Sequence, residues 1–169
     1  MISLTPQPLT VEVFAPFGDV IEAGTRTSFA INDDMAQRYN DLAFIDASDE
    51  GGRPNVSIFV SKPRPLPVVI DMVERHPLGS QLFVPLGDHP YLVAVTDGTP
   101  PFDANDLSVF LITDGRGVNY RKGLWHLPLC ALFEPARFLV VDRGGPGDNC
   151  EEYHFPSDTR ITVELDPPR

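Results

Sequence analysis

Apolar and polar positions along this chain fall in short blocks and alternations rather than at helical spacing. The runs 56–60 (VSIFV), 68–76 (VVIDMVERH), 81–86 (QLFVPL), 91–96 (YLVAVT), 107–112 (LSVFLI), 129–133 (LCALF) and 137–142 (RFLVVD) predict β-strands, and 150–155 and 160–165 predict two more. Each is bounded by Pro, Gly or Asp, the punctuation of a sandwich or barrel. The apolar residues of 68–76 also fit a helical stripe, but its length and its Val and Ile content favour a strand. One helical turn is expected at Thr10–Phe14, capped by Thr10 and ended by Pro16 and Gly18. Asp19–Glu22 reads as extended. The least regular stretch is 23–55, where Gly24, Asn32, Asp33, Asp34, Gly51 and Gly52 mark loops. The expectation is a mainly all-β chain with a few short helices.

Composition sharpens that picture. Eighteen prolines and thirteen glycines in 169 residues leave little room for long helices. Nothing resembling a linker or repeat divides the chain, so residues 1–169 are expected to form one domain. The net charge of −11 and the absence of a Lys/Arg cluster exclude a phosphate-neutralising surface, and with it a nucleic-acid partner. Eleven of the thirteen basic residues are arginines, the side chain suited to forked recognition of carboxylates. An anionic ligand would meet an opposing overall field. A local cation must overcome that field, and one pair contributes about 4 kcal/mol at roughly 4 Å and an effective dielectric near 20, before desolvation. Cys130, in an apolar run, reads as a buried inert thiol, and with Cys150 makes neither a disulfide scaffold nor a zinc pattern. No signal peptide and no membrane-length apolar stretch is seen, so a cytoplasmic protein without membrane attachment is expected.

The chemistry concentrates in 74–87 (ERHPLGSQLFVPLG) and 115–129 (GRGVNYRKGLWHLPL). Glu74 and His76 are two apart, so on one strand they share a face. Gln81 follows a Pro77–Gly79 bend, and His126 arrives on a second strand behind a turn at Gly123. Such a set, drawn from separate strands, suits the polar mouth of a β-barrel.

These strings resemble known ones. The spacing of Glu74, His76, Gln81 and Gly87 is similar to a degraded first cupin motif, and Gly123-Leu-Trp-His126 to the second. Phe17-Gly-Asp-Val-Ile-Glu22, Glu74-Arg-His-Pro-Leu-Gly-Ser-Gln81, Gly117-Val-Asn-Tyr120, Trp125-His126 and Asp142-Arg-Gly-Gly145 with Asp148-Asn-Cys150 resemble the ureidoglycolate lyase family, in matching order to about residue 155. The resemblance implies a cupin-like double-stranded β-barrel, or jelly roll. It further implies a homodimer that splits (S)-ureidoglycolate into glyoxylate and urea during allantoin and purine degradation. Two positions depart from the family pattern. Asn40 stands in RYNDLA where the family often has histidine, and Leu127 in WHLPL likewise. Strand alternation turns residue 127 away from residue 126, which makes Leu127 a core position.

Breaking the C–N bond of this carbinolamide needs a base for the hydroxyl proton, an acid for the departing urea and a partner for the carboxylate. His76 and His126 are the acid/base candidates, because histidine titrates near neutral pH. Glu74 orients His76 or acts as the base itself. Lys122, Arg26 and, if the Pro77 bend rotates it inward, Arg75 are candidate carboxylate clamps. Asn119, Tyr120 and Gln81 are candidate hydrogen-bonding partners for urea. Trp125 is a candidate wall, against a core role. No cofactor is expected to be required. A divalent metal at Glu74, His76, Gln81 and His126 is the alternative, with Gln81 a poor ligand for transition metals. The competing functions are a ureidoglycolate amidohydrolase releasing ammonia, and a non-catalytic cupin that binds a small carboxylate.

Overall fold

The computed structural model describes residues 2–24 and 27–165. Its strands, in chain order, are β1 (Ile2–Leu4), β2 (Gly18–Ile21), β3 (Ser28–Ile31), β4 (Ala36–Tyr39), β5 (Arg53–Ser61), β6 (Val68–Ile70), β7 (Met72–Arg75) and β8 (Gln81–Pro85). There follow β9 (Tyr91–Thr96), β10 (Ser108–Ile112), β11 (Gly117–Tyr120), β12 (Trp125–His126), β13 (Cys130–Ala131), β14 (Ala136–Gly144), β15 (Glu151–His154) and β16 (Ile161–Val163). Among the described residues the one α-helical turn, α1 (Val11–Phe14), begins as expected, with the Thr10 hydroxyl accepting from the Val13 N–H at 3.2 Å. Among the described residues no helix is long and apolar enough to cross a membrane.

Two large antiparallel sheets face each other. One runs β10-β9-β12-β7-β15, with β13 also on β9, and the other runs β2-β11-β8-β14-β5. A third sheet, β1-β16-β6, covers the back of the first. This is the mainly all-β, cupin-like architecture anticipated from the short Pro- and Gly-bounded strands.

Alternation along the strands explains why two cores form. On β9, Tyr91, Val93 and Val95 point between the two large sheets, while Leu92 and Ala94 point to the back. All six β9 residues are therefore buried. The inner core is aromatic: the fully buried Phe138 ring lies 5.2 Å from Tyr91 and 6.4 Å from Phe83, both edge-on. Removing one such ring from water contributes about 1.5–3 kcal/mol. The back core gathers Val68, Ile70, Val73, Trp125, Leu127, Ile161 and Val163. Leu127 is thus a core residue, as alternation required.

Several expectations need correction. The single strand expected at 68–76 is two strands: β6 pairs with β16, the chain changes sheet at Asp71, and β7 pairs with β12 and β15. The Asp71 carbonyl accepts the Phe155 N–H at 2.9 Å, pinning the crossover. A continuous apolar run cannot reveal that its two halves serve different sheets. The irregular 23–55 stretch contains a hairpin, β3–β4, whose turn places Asn32, Asp33 and Asp34 at positive φ, a conformation that Asn and Asp tolerate better than most. The segments β1 and β11 were not expected as strands, and 129–133 contributes only Cys130–Ala131.

The strand β5 is the edge of its sheet. It pairs along its full length with β14, from Ser61 opposite Ala136 to Arg53 opposite Gly144. It nevertheless leaves Val56 68% and Val60 72% exposed, with Ile58 also exposed.

Candidate active site

The site forms where the two large sheets come together at one end. On β7 the alternation that buries Val73 in the back core turns Glu74 inward and Arg75 outward. Register then sets the rest: Glu74 lies opposite His126, and His126 opposite Val95, so both site residues sit on the inner face beside the core. On the facing sheet Gln81 pairs with Tyr120. The bend after β7 brings His76 back over His126, with ring centroids 5.2 Å apart.

Three atoms converge. Glu74 Oε1 lies 3.5 Å from His126 Nε2 and 4.0 Å from His76 Nε2, and ligand atoms from these three residues all lie within 4.8 Å of one another. The far side of each ring is fixed. His76 donates its Nδ1–H to the Asn149 carbonyl at 2.6 Å, and His126 donates its Nδ1–H to the Leu124 carbonyl at 3.0 Å. Because a carbonyl only accepts, both neutral rings carry their proton on Nδ1 and present a bare Nε2 to Glu74. Neither Nε2 has a hydrogen-bond partner.

Burial pushes the Glu74 carboxyl up, but the neighbouring imidazoles, His126 before His76, together with the Arg64 charge hold it below the ordinary carboxylate value. An ionised carboxylate and two bare ring nitrogens are all acceptors. The cluster is therefore built around one positive centre, a proton or a cation. Tyr120 backs it: its ring stacks on His126 at 4.4 Å, and burial pushes its hydroxyl well above the ordinary value, so it stays protonated.

A cleft of about 490 Å³ opens onto Glu74, lined by Phe59, Val60 and Ser61 of β5, Gln81 and Phe83 of β8, and Pro128 and Leu129 after β12. Gln81 Oε1 is buried without a partner. The expected residues Glu74, His76, His126, Tyr120 and Gln81 are thus brought together.

The other candidates are placed elsewhere. Arg75 pairs with Glu151 at 2.6 Å and lies over the Trp125 ring. Trp125 belongs to the back core, packed against Phe102. Asn119 donates to Asp19 and to the Phe44 carbonyl, on the face of β11 opposite Tyr120. Lys122 is held by Asp46 at 2.9 Å and Asp49 at 2.8 Å. Arg26 lies outside the described residues. Asn40, bonded to Asp41, lines a separate shallow cleft with Arg38 and Leu82.

Sequence reasoning missed the carbonyls of Leu124 and Asn149, since a backbone acceptor leaves no residue-type signal. It also missed the β5 wall, which reads as an ordinary apolar strand.

The model of the ureidoglycolate lyase family matches residues 1–163. A ureidoglycolate lyase of Burkholderia mallei is 49% identical over 162 residues, covering 96% of this chain and 95% of its own. One of Azotobacter vinelandii is 45% identical over 163 residues (95% and 96% covered), and one of Pseudomonas syringae pv. tomato is 41% identical over 169 residues (99% and 98%).

The ring geometry makes a direct prediction. In ¹⁵N-resolved NMR above the imidazole titration range, His76 and His126 should both report Nδ1–H and bare Nε2. A proton resident on Nε2 of either ring would contradict the arrangement.

Proposed function

We propose that this protein cleaves ureidoglycolate to glyoxylate and urea, and the premise is its family: the chain belongs to the ureidoglycolate lyase family. The observation that carries the mechanism is the convergence of Glu74 Oε1, His76 Nε2 and His126 Nε2 on one point beside an open cleft. The substrate is a carbon bearing hydroxyl, carboxylate and a urea nitrogen. A bare ring nitrogen takes the hydroxyl proton while the C–N bond breaks and the C=O of glyoxylate forms. The second ring, protonated and paired with ionised Glu74, returns a proton to the departing nitrogen. The proton gained by the first ring returns to the second across the Glu74 oxygen between them, so no net proton, water or electron is consumed. His76, with its side chain 16% exposed, meets substrate more readily than His126 at 2%. It is therefore assigned the first transfer, and His126 with Glu74 the second. Tyr120 keeps the His126 ring in plane, and Gln81 Oε1 is available to an N–H of the urea group.

A second reading of the same trio is a divalent-ion site. The donor set fits: each ring is oriented by an Nδ1–H···O=C bond, as in metal-ligating histidines, and both Nε2 atoms lack partners. An ion held by Glu74, His76 and His126 would supply positive charge to the reacting oxygen.

The assembly proposed is a homodimer, working in the cytoplasm on allantoin-derived substrate. What supports the dimer is β5, a nine-residue edge strand with Val56, Ile58 and Val60 exposed, the kind of edge that a second strand covers. Sedimentation equilibrium should return twice 18.7 kDa; a mass of one chain at micromolar concentration would contradict it.

Replacing His76 or His126 singly with Asn should lower kcat for ureidoglycolate by ~10²–10⁴ while the far-UV spectrum is unchanged. Near-normal turnover in both variants would contradict their assignment.

A further inference from the structure

The geometry points to Arg64, resting on the lyase reading above, as the residue that binds the carboxylate of the substrate. The substrate is an anion, and it must enter a cleft beside an ionised Glu74 in a chain of net charge −11. A cation at the cleft has to offset both.

Of the cations first expected there, Arg26 lies outside the described residues and the other two are engaged elsewhere. Lys122 is matched by Asp46 and Asp49, and Arg75 by Glu151. Arg116 is likewise held by Asp114 and Glu22.

Arg64 is placed differently. It leaves the end of β5 three residues after Ser61, which forms one wall of the cleft. Its backbone N–H donates to the Ala131 carbonyl at 2.9 Å, which docks it against the segment that follows the other wall, Pro128–Leu129. Arg64 is thus rooted between the two walls. Arg64 is half-buried, and among the described residues it takes part in none of the ion pairs that hold Arg75, Arg116 and Lys122. Its positive charge adds to those of His126 and His76 in lowering the Glu74 carboxyl, and it partly offsets the rise that burial gives the Cys130 thiol.

The local sequence presets this position. Pro63 and Pro65 flank Arg64. A residue before proline is restricted to extended backbone, so the main chain that carries the guanidinium is already ordered before a ligand arrives. Its planar fork matches a carboxylate with two parallel N–H···O bonds. With the carboxylate held by Arg64, the substrate's hydroxyl and nitrogen are left to face the Glu74–His76–His126 cluster.

The test compares wild type with Arg64→Gln and Arg64→Lys. It reads kcat and KM for ureidoglycolate, calorimetric affinity for the product anion glyoxylate, and Tm as a check on folding. Arg64→Gln should raise KM by roughly 10- to 100-fold, the worth of a charged hydrogen bond, with a smaller change in kcat. Glyoxylate affinity should fall by a similar factor, and Arg64→Lys should recover part of both. KM and glyoxylate affinity within about twofold of wild type in a folded Arg64→Gln protein would overturn the proposal. Absence of turnover in wild type would overturn the lyase reading instead, and the glyoxylate titration would still decide the role of Arg64.

Discussion

The register that sets His126 opposite Glu74 is the constraint on which the rest of this structure depends. A slip of one residue on β12 would bring Trp125 to the inner face and send His126 to the back core. The back core resists that slip, because it already holds Val73, Trp125 and Leu127 on the alternate positions of the same two strands. Packing on one side of the sheet thereby fixes chemistry on the other. The β6–β7 crossover at Asp71 serves the same end: it frees β6 to cover the back of the sheet while β7 carries Glu74 into the site.

Polar groups around the cluster are divided by what they hold. Two backbone carbonyls take the Nδ1 protons of the two rings, which strips both Nε2 atoms of protons and aims them at one carboxylate oxygen. A hydroxyl or a water in either position, able to donate as well as accept, would leave the tautomer undecided. Arg143 performs a comparable fixing task outside the site. Its guanidinium donates to the carbonyls of Asp49, Glu50 and Pro146, tying the loop that also carries the Asp49 partner of Lys122. Both Lys122 and Arg143 therefore hold the loop that carries Asp49.

Much of this was legible in the sequence, and the limits have physical causes. Glu74 and His76, two apart, were expected to share a face of one strand; the strand ends at Arg75, and the bend that follows brings His76 to the same cluster. The same alternation places Arg75, Asn119 and Trp125 on the faces opposite Glu74, Tyr120 and His126. Leu127 was read this way, and the structure bears it out. Lys122 could not be placed from sequence, because Asp46 and Asp49 lie more than seventy residues away and meet it only through the fold. The hairpin β3–β4 escaped notice because its strands are four residues each and largely exposed, and neither SFAI nor AQRY shows the hydrophobic alternation that marks a strand. Arg64 sits in SKPRPLP, where the prolines signal a loop but not which cavity the loop borders.

The central claim is that a trio of two histidines and one carboxylate breaks a C–N bond without adding water. Purified protein supplied with racemic ureidoglycolate, with and without prior chelation, tests this most directly when glyoxylate, urea and ammonia are all quantified. Equal amounts of glyoxylate and urea with no ammonia are predicted, and sensitivity to the chelator would assign the trio to the divalent ion rather than to proton transfer alone. Ammonia in place of urea, or no turnover of either enantiomer, would contradict the account.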